Sequence, residues 1–250
     1  MKQSVLLSSA TLLLSLTANI NTKYYAQTNQ DKFVNIEFFK NKKNGFFVDI
    51  GAHDGTTFSN TYFFEKELEW TGLCFEPLSH RFEELQKNRP LSICYNAAIG
   101  AQQFHKKLRN FITVSSSSVA VEMLSGFQDT YEPKHLERLK RELKLFGGNY
   151  TINRMHTLCL PILLKEHRKT HIDLLSIDTE GSELEILKSI DFNALTIDVI
   201  LVENNYQSPT IQTFLSSKGF ISIPFKDSPG DEVYAHSSFL QKINYERISL

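Results

Sequence analysis

Cysteine is scarce in this sequence: three among 250 residues, Cys74, Cys94 and Cys159. An odd number at such separations excludes a disulfide framework, and no zinc-type pair of cysteines is present. An excess of charge of one sign is missing too. Lys and Arg total 27 and Asp and Glu 28, a net charge of -1, which argues against nucleic-acid binding by bulk electrostatics. Internal repeats are absent. So is any comfortable membrane span: the longest apolar run, residues 5–16 behind Lys2, is short and broken by serines and a threonine. Tryptophan occurs once against 19 Phe, so a Phe-rich core is expected.

What remains describes one large folded domain. At 250 residues, 41% hydrophobic and 22% charged, the chain is neither disordered nor fibrous. The N-terminal run matches the core of a signal peptide, with Leu16-Thr17-Ala18 as a weak cleavage site, or else a simple N-terminal helix. Residues 1–23 therefore stand apart from a domain over 24–250. Reduced thiols suit the cytoplasm; secretion or membrane association would act through residues 1–20.

Along the domain, apolar periodicity predicts a helix over 30–40, with Phe33, Val34, Ile36 and Phe38 as its apolar positions. A strand over 46–50 runs into a glycine-bearing loop, 51–55. A helix over 59–66, a strand over 73–75, a helix over 79–87 and a strand over 91–95 follow. This alternation is the signature of a parallel sheet covered by helices. Residues 101–160 break it and read as an insertion over the sheet. Ser115 to Ser118 is a polar loop. Residues 133–146 form an amphipathic helix with Leu136, Leu139, Leu143 and Phe146 on its apolar stripe, ended by Gly147-Gly148. Its charges, Arg138 among them, are mixed in sign and read as a solvated face, and His135 carries no signal. The alternation resumes with a strand over 172–177 and a helix opened by a Ser182/Glu185 capping box. Next come a strand over 197–202 and a helix from Ser208-Pro209 to Gly219. Strands over 220–225 and 232–239 pair antiparallel around Ser228-Pro229-Gly230-Asp231.

Open α/β sheets bind ligands beyond the carboxyl ends of their strands. Acidic or amide groups stand at successive strand ends here: Asp49 before the glycine loop, then Glu76, Asn96, Asp178 and Glu203-Asn204. A dinucleotide fingerprint needs a middle glycine to admit a pyrophosphate. Between Gly51 and Gly55 this loop has Ala52, His53 and Asp54, and His53 would crowd that group. Glu76 follows about twenty residues after the loop, a suitable distance for a carboxylate that accepts hydrogen bonds from ribose hydroxyls. The combination favours a nucleoside cofactor without a pyrophosphate, which S-adenosyl-L-methionine satisfies. Its amino-acid part would lie on the loop of Asp49, Gly51, His53, Asp54 and Gly55, its ribose on Glu76 and its adenine near Asn96.

Four segments carry a family resemblance. They are Phe47-Val48-Asp49-Ile50-Gly51-Ala52-His53-Asp54-Gly55, Phe75-Glu76-Pro77, Asn96-Ala97-Ala98-Ile99-Gly100, and Leu175-Ser176-Ile177-Asp178-Thr179-Glu180-Gly181-Ser182-Glu183. In this order, over about residues 24–240, the chain resembles the FkbM-type methyltransferases. The resemblance implies a Rossmann-like class I methyltransferase fold: a mainly parallel seven-stranded sheet with an antiparallel C-terminal strand. It also implies methyl transfer from S-adenosyl-L-methionine, commonly to oxygen. Asp178 would then lie beside the methyl group, and Glu180 would orient the acceptor hydroxyl or take its proton. Asp178, Glu203 and Asn204 resemble the metal ligands of catechol-type O-methyltransferases, with Glu203 one methylene longer than the Asp found there: either they hold Mg2+ or Mn2+, or Asp178 contacts the acceptor directly and Glu203-Asn204 buttress the loop. The expected acceptor is a hydroxyl on a small molecule or glycan, with no nucleic-acid partner. The competing readings are a nicotinamide-dependent oxidoreductase, against which the missing middle glycine speaks, and a non-catalytic secreted or membrane-associated module keeping the fold.

Overall fold

The apolar run Phe46–Ile50 forms β1, and it is buried along almost its whole length. A central parallel strand covered on both faces requires that pattern. The computed structural model describes residues 23–245, so the readings of the N-terminal apolar run fall outside the described residues. Further strands are β2 (Thr71–Phe75), β3 (Ile93–Tyr95), β4 (Ala98–Ile99), β5 (Lys107–Ser115) and β6 (Gly126–Phe127). They are followed by β7 (Asn149–Leu158), β8 (His171–Ile177), β9 (Thr196–Glu203), β10 (Phe220–Ile223) and β11 (Asp231–His236).

Among the described residues the main sheet has seven strands in the order β10-β11-β9-β8-β1-β2-β3. Pairing is parallel from β3 to β9, and β11 alone runs against its neighbours. The chain leaves β1 towards β2 and β3 on one side and returns to β8 and β9 on the other. The switch point, where a doubly wound sheet opens a crevice, therefore lies between β1 and β8. This is the sheet order that the resemblance implies. No helix among the described residues is long and apolar enough to cross a membrane.

Alternation along the strands divides the core. Val48, Ile50, Leu175, Ile177 and Ile200 face a largely aliphatic layer with Leu163 and Leu187. Phe47, Leu174 and Val199 face the other way, onto Phe38, Phe39, Phe63, Phe64 and Trp70. The Phe-rich core is thus confined largely to one face.

The insertion differs most from the sequence expectation. Among the described residues it joins β4, which precedes it, in a second sheet of four strands, β4-β7-β5-β6, whose centre is a long antiparallel ribbon from Lys107↔Thr157 to Ser115↔Asn149. The helix Pro133–Phe146 packs on it, with Leu139 buried against Ile112, Val114, Val121 and Leu124. Phe146, expected on the apolar stripe, is exposed, and His135 is buried instead.

Smaller differences have local causes. The helix expected over 30–40 is α-helical only over Gln30–Val34. It continues as a π turn, Asn35–Phe39, where the Lys40 amide donates to the Asn35 carbonyl. The next helix begins at Tyr62, because Ser59 Oγ accepts from the amides of Thr61 (3.3 Å) and Tyr62 (3.1 Å). The Ser182/Glu185 capping box does not form: Ser182 Oγ pairs with Thr130 Oγ1 (3.0 Å), and Glu185 accepts from Arg109 Nη1 (2.7 Å) and the Ala101 amide (2.8 Å).

One buried cation organises the loop after β1. Arg89 is 1% exposed. Its Nε donates to Glu65 (2.8 Å), Nη1 to the Gly55 carbonyl (3.1 Å) and Nη2 to Thr61 Oγ1 (2.8 Å). Nη1 also lies 3.7 Å from Asp49, and the guanidinium stacks over Phe47. Removing one partner of such a pair strands the other charges away from water, which typically costs about 3–5 kcal/mol. Arg89→Met is therefore expected to lower unfolding free energy by about that amount in urea titration, and adding Glu65→Gln should recover part of the loss.

Candidate active site

The site begins where β1 and β8 end side by side. Gly51 has φ +92°. Its amide and that of Ala52 both donate to the Phe75 carbonyl (3.0 Å each), while the Asp178 amide donates to the Ile50 carbonyl (2.9 Å). A Cβ at position 51 would lie 1.8 Å from the Asp178 carbonyl oxygen, so only glycine allows this approach. The loop then turns through His53, also left-handed at φ +49°.

That turn points the His53 amide at Glu76 Oε2 (2.9 Å), and the Leu78 amide donates to Oε1 (2.7 Å). The Glu76 carboxylate is thereby fixed at the end of β2, with one amide on each oxygen and further acceptor capacity on both. Burial pushes its pKa up to about 7 against those two amides.

A cleft of about 380 Å³ opens over these strand ends. Asp49, Gly51, His53 and Glu76 line it on one side, Asp178, Glu203, Asn205 and Asp231 on the other, and Phe111, Glu122, Phe127 and Arg138 of the insertion cover it. Glu122 is the insertion's main anchor. It is buried, and it meets His80 Nε2 (2.8 Å), Arg81 Nε (2.7 Å) and His53 Nε2 (3.3 Å). These partners outweigh burial and hold its pKa below the usual carboxylate value.

Several of the expected site residues turn away from the cleft. Asp54 accepts from Thr56 N (2.8 Å), Thr57 N (2.7 Å) and Thr57 Oγ1 (2.6 Å), so its carboxylate is spent inside its own turn. Gly55 faces Arg89 and Leu85 beneath the loop. Asn96 donates to the carbonyls of Glu76 and Pro77 (3.0 Å each) and buttresses the β2 end instead of lining the cleft. Asn204 donates to the Ser208 carbonyl and to Glu232 (2.9 Å each), which turns it away from Asp178. Its neighbour Asn205 lines the cleft instead. Asp49 lines it too, although its carboxylate is already engaged by Thr61 Oγ1 (2.5 Å).

The acids at the ends of β8 and β9 do converge. Ligand oxygens of Asp178, Glu180 and Glu203 all lie within 4.8 Å of one another. Asp178 opens onto the cleft, yet burial of its head group and the charges of Asp231 and Glu183 push its pKa up to about 7. Burial and the Asp178 charge also raise Glu180 and Glu203. Asn205 Nδ2 donates to Glu203 at 2.6 Å. Glu180 lies behind this group and lines a neighbouring cavity of about 100 Å³ with His135 and Tyr206.

Sequence reasoning missed Glu122, Arg138, Asn205, Asp231 and His135. His135 was findable, because it precedes Leu139 by one turn on the buried stripe. Asp231, read as a turn residue, begins β11 and accepts from Gln30 Nε2 (2.7 Å). Glu122 and Arg138 belong to an insertion with no transferable code.

The Glu76 environment sets a pH dependence. Its folded pKa of about 7 lies above the ordinary 4.5, so the folded state holds this proton more tightly than the unfolded chain. Its contribution to stability is full below about 4.5 and is lost as pH rises through about 7. Thermal unfolding between pH 4.5 and 8 should show the wild type losing stability relative to Glu76→Gln as pH rises. A constant difference would contradict the assignment.

No curated protein matches the chain. Solved structures resembling it include a TehB-like SAM-dependent methyltransferase from Corynebacterium glutamicum, 8% identical, covering 84% of this chain and 89% of that one with a TM-score of 0.41. Another is a putative rRNA-methylase from Clostridium thermocellum, 10% identical, covering 85% and 97% with a TM-score of 0.39. Residues 49–243 match the methyltransferase FkbM domain, and the chain belongs to that family of methyltransferases.

Proposed function

We propose that the chain transfers the methyl group of S-adenosyl-L-methionine to a hydroxyl oxygen on a small-molecule or glycan acceptor. The observation that carries this reading is one cleft with two chemically distinct walls, joined where Gly51 touches the Asp178 carbonyl. One wall suits a nucleoside: Glu76 offers two oxygens, each fixed by an amide, to a pair of ribose hydroxyls. His53 occupies the loop position where a dinucleotide would need glycine.

The cofactor supplies an already activated methyl group, so the protein's task is mainly alignment. Asp178, at the floor of the cleft, accepts a hydrogen bond from the acceptor hydroxyl and directs its oxygen. Glu203 and Asn205 hold that carboxylate's surroundings, and Glu180 behind them is a positioning residue. The carboxylates also select the acceptor. With their pKa values raised, the acids of this wall both accept and donate hydrogen bonds, which matches a neutral hydroxylated molecule. That argues for sugars and hydroxylated metabolites and against nucleic acid. The cytoplasm is the compartment that the three free thiols support.

Two variants separate the walls. Glu76→Ala removes two hydrogen bonds from the ribose, at least one to a charged acceptor and worth about 1.5–3 kcal/mol, so calorimetry should show S-adenosylhomocysteine affinity falling at least tenfold. Asp178→Asn should keep that affinity within a few-fold while methyl transfer drops by about a hundredfold or more. The acceptor is to be found by a labelled-methyl screen across glycans, hydroxylated metabolites and proteins, with mass spectrometry of the product. Stabilisation by NAD but not by S-adenosylhomocysteine in a thermal-shift assay would overturn the reading.

A further inference from the structure

Phe58 stands where a phenylalanine is least expected. Its backbone is left-handed, at φ +56°, a region that bulky side chains rarely enter and that glycine or asparagine takes with less strain. Its ring is 42% exposed and stacks on no other ring among the described residues. Burial accounts for neither the bulk nor the conformation.

The loop is pinned on both sides of this residue. Before it, Asp54 accepts from the amides of Thr56 and Thr57 and from Thr57 Oγ1. After it, Ser59 Oγ accepts from Thr61 N (3.3 Å), Tyr62 N (3.1 Å) and Arg89 Nη1 (3.4 Å). Strained backbone persists only where its surroundings over-determine it, and such positions cluster at ligand sites.

Phe58 lines the cleft, as do Phe75, Phe111 and Phe127. Those three are buried, and Phe111 and Phe127 pack with Leu78, whose amide serves Glu76. Phe58 is tied instead to the acidic side. It forms an isolated parallel bridge with Ala26, and that lead-in continues to Gln30, which donates to Asp231 (2.7 Å). Asn60, just after Phe58, donates to Ser176 Oγ (3.2 Å), on the strand that ends at Asp178. Neutral polar groups accompany the ring. Thr28 and Asn60 line the cleft, and their Oγ1 and Oδ1 atoms are buried with no hydrogen-bond partner among the described residues. Gln27 and Ser228 add an amide and a hydroxyl to the lining.

An exposed aromatic face among hydroxyls and amides matches a saccharide, whose ring carries an apolar face of C–H bonds and an edge of hydroxyls. A phenolic ring would use the aromatic face but leave most of the neutral donors and acceptors around it unmet, which is unfavourable.

We propose that Phe58 is the stacking platform of the acceptor subsite, and that the acceptor presents its hydroxyl on a saccharide ring. The proposal deepens the methyltransferase reading and rests on it for the fate of that hydroxyl. With one face of the sugar on Phe58, a hydroxyl at the ring's edge is directed towards Asp178. Selection follows from the same contact, because an axial substituent on the stacked face would lift the ring from the platform. The engagement of Asp54 within its own turn then has a purpose: it holds Thr57, and with it Phe58, in place.

The test is saturation-transfer NMR on the purified full chain, with and without S-adenosylhomocysteine. The probes are the methyl pyranosides of glucose, galactose, mannose and fucose, with phenol and catechol as the competing class. At least one pyranoside is expected to take up saturation, most strongly on the C–H protons of one ring face. Phe58→Asn tolerates the left-handed backbone and removes the ring, so its pyranoside affinity should fall about three- to tenfold. Phe58→Trp should retain it. A merely structural role would instead lower the melting temperature and the S-adenosylhomocysteine affinity of Phe58→Asn, and neither should fall. Equal pyranoside affinity in folded Phe58→Asn overturns the platform. Saturation of phenol or catechol without any pyranoside, or of no probe at all, overturns the sugar class. Pyranoside binding in a chain that does not bind S-adenosylhomocysteine sinks the methyltransferase reading and leaves the subsite standing; the converse result does the opposite.

Discussion

The site depends on one backbone contact, the approach of Gly51 to the carbonyl of Asp178. At the switch point of a doubly wound sheet, two adjacent parallel strands send their chains in opposite directions. The space between their ends is the crevice, and its width is set by how closely the two departing backbones can pass. Here a single Cβ would sit 1.8 Å from a carbonyl oxygen. The glycine therefore fixes the distance between the loop after β1 and the acidic wall. The Asp178 amide bonds to Ile50 on one side of this contact, and the Gly51 amide to Phe75 on the other. The ends of three neighbouring strands, β8, β1 and β2, are thereby locked into one rigid rim before any side chain takes part.

Much of that rim is legible in sequence, because it follows from the chain's local order. Alternating strands and helices, glycines where the backbone must turn, and acids at strand ends place Gly51, Glu76 and Asp178 directly after β1, β2 and β8, where the structure has them. What is not legible is where each polar side chain turns. Asp54 and Asn96 belong to strand-end motifs, yet both are consumed by backbone groups within hydrogen-bond reach. A short Asp or Asn side chain favours such partners over a distant ligand. Asn204 and Asn205 are chemically identical neighbours. Which one enters the cleft depends on the cap of the following helix, where the Ser208 amide donates to Asn204 Oδ1.

The insertion shows a different limit. β7 is exposed over most of its length, so it lacks the apolar run or clean alternation that marks a half-buried strand. Its register comes from β5, which precedes it by more than thirty residues, and the helix between them takes up the apolar stripe. Besides the apolar contact of Phe111 and Phe127 with Leu78 and Ala98, the insertion makes a polar one: Glu122 meets His53, His80 and Arg81. A hydrogen-bonded charge cluster fixes register without an apolar pattern, so hydrophobicity alone does not reveal it. It also couples the cover to His53, whose backbone orients Glu76.

Among the described residues, the carboxylates beneath the loop after β1 and those at the ends of β8 and β9 are handled in opposite ways. Asp49 and Glu65 surround Arg89, which shares its donors among Glu65, Thr61 and the Gly55 carbonyl. That arrangement closes on itself, leaves no demand on outside ligands and serves the loop's shape. Asp178, Glu180 and Glu203 are comparably crowded but lack a guanidinium in hydrogen-bonding position. Their mutual repulsion is retained in the fold, although a buried like-charge cluster destabilises it. A sequence that places Arg89 so well beneath the glycine loop could supply a cation here also. Burial and mutual charge instead raise all three carboxyls, so they keep protons that an isolated carboxylate would release.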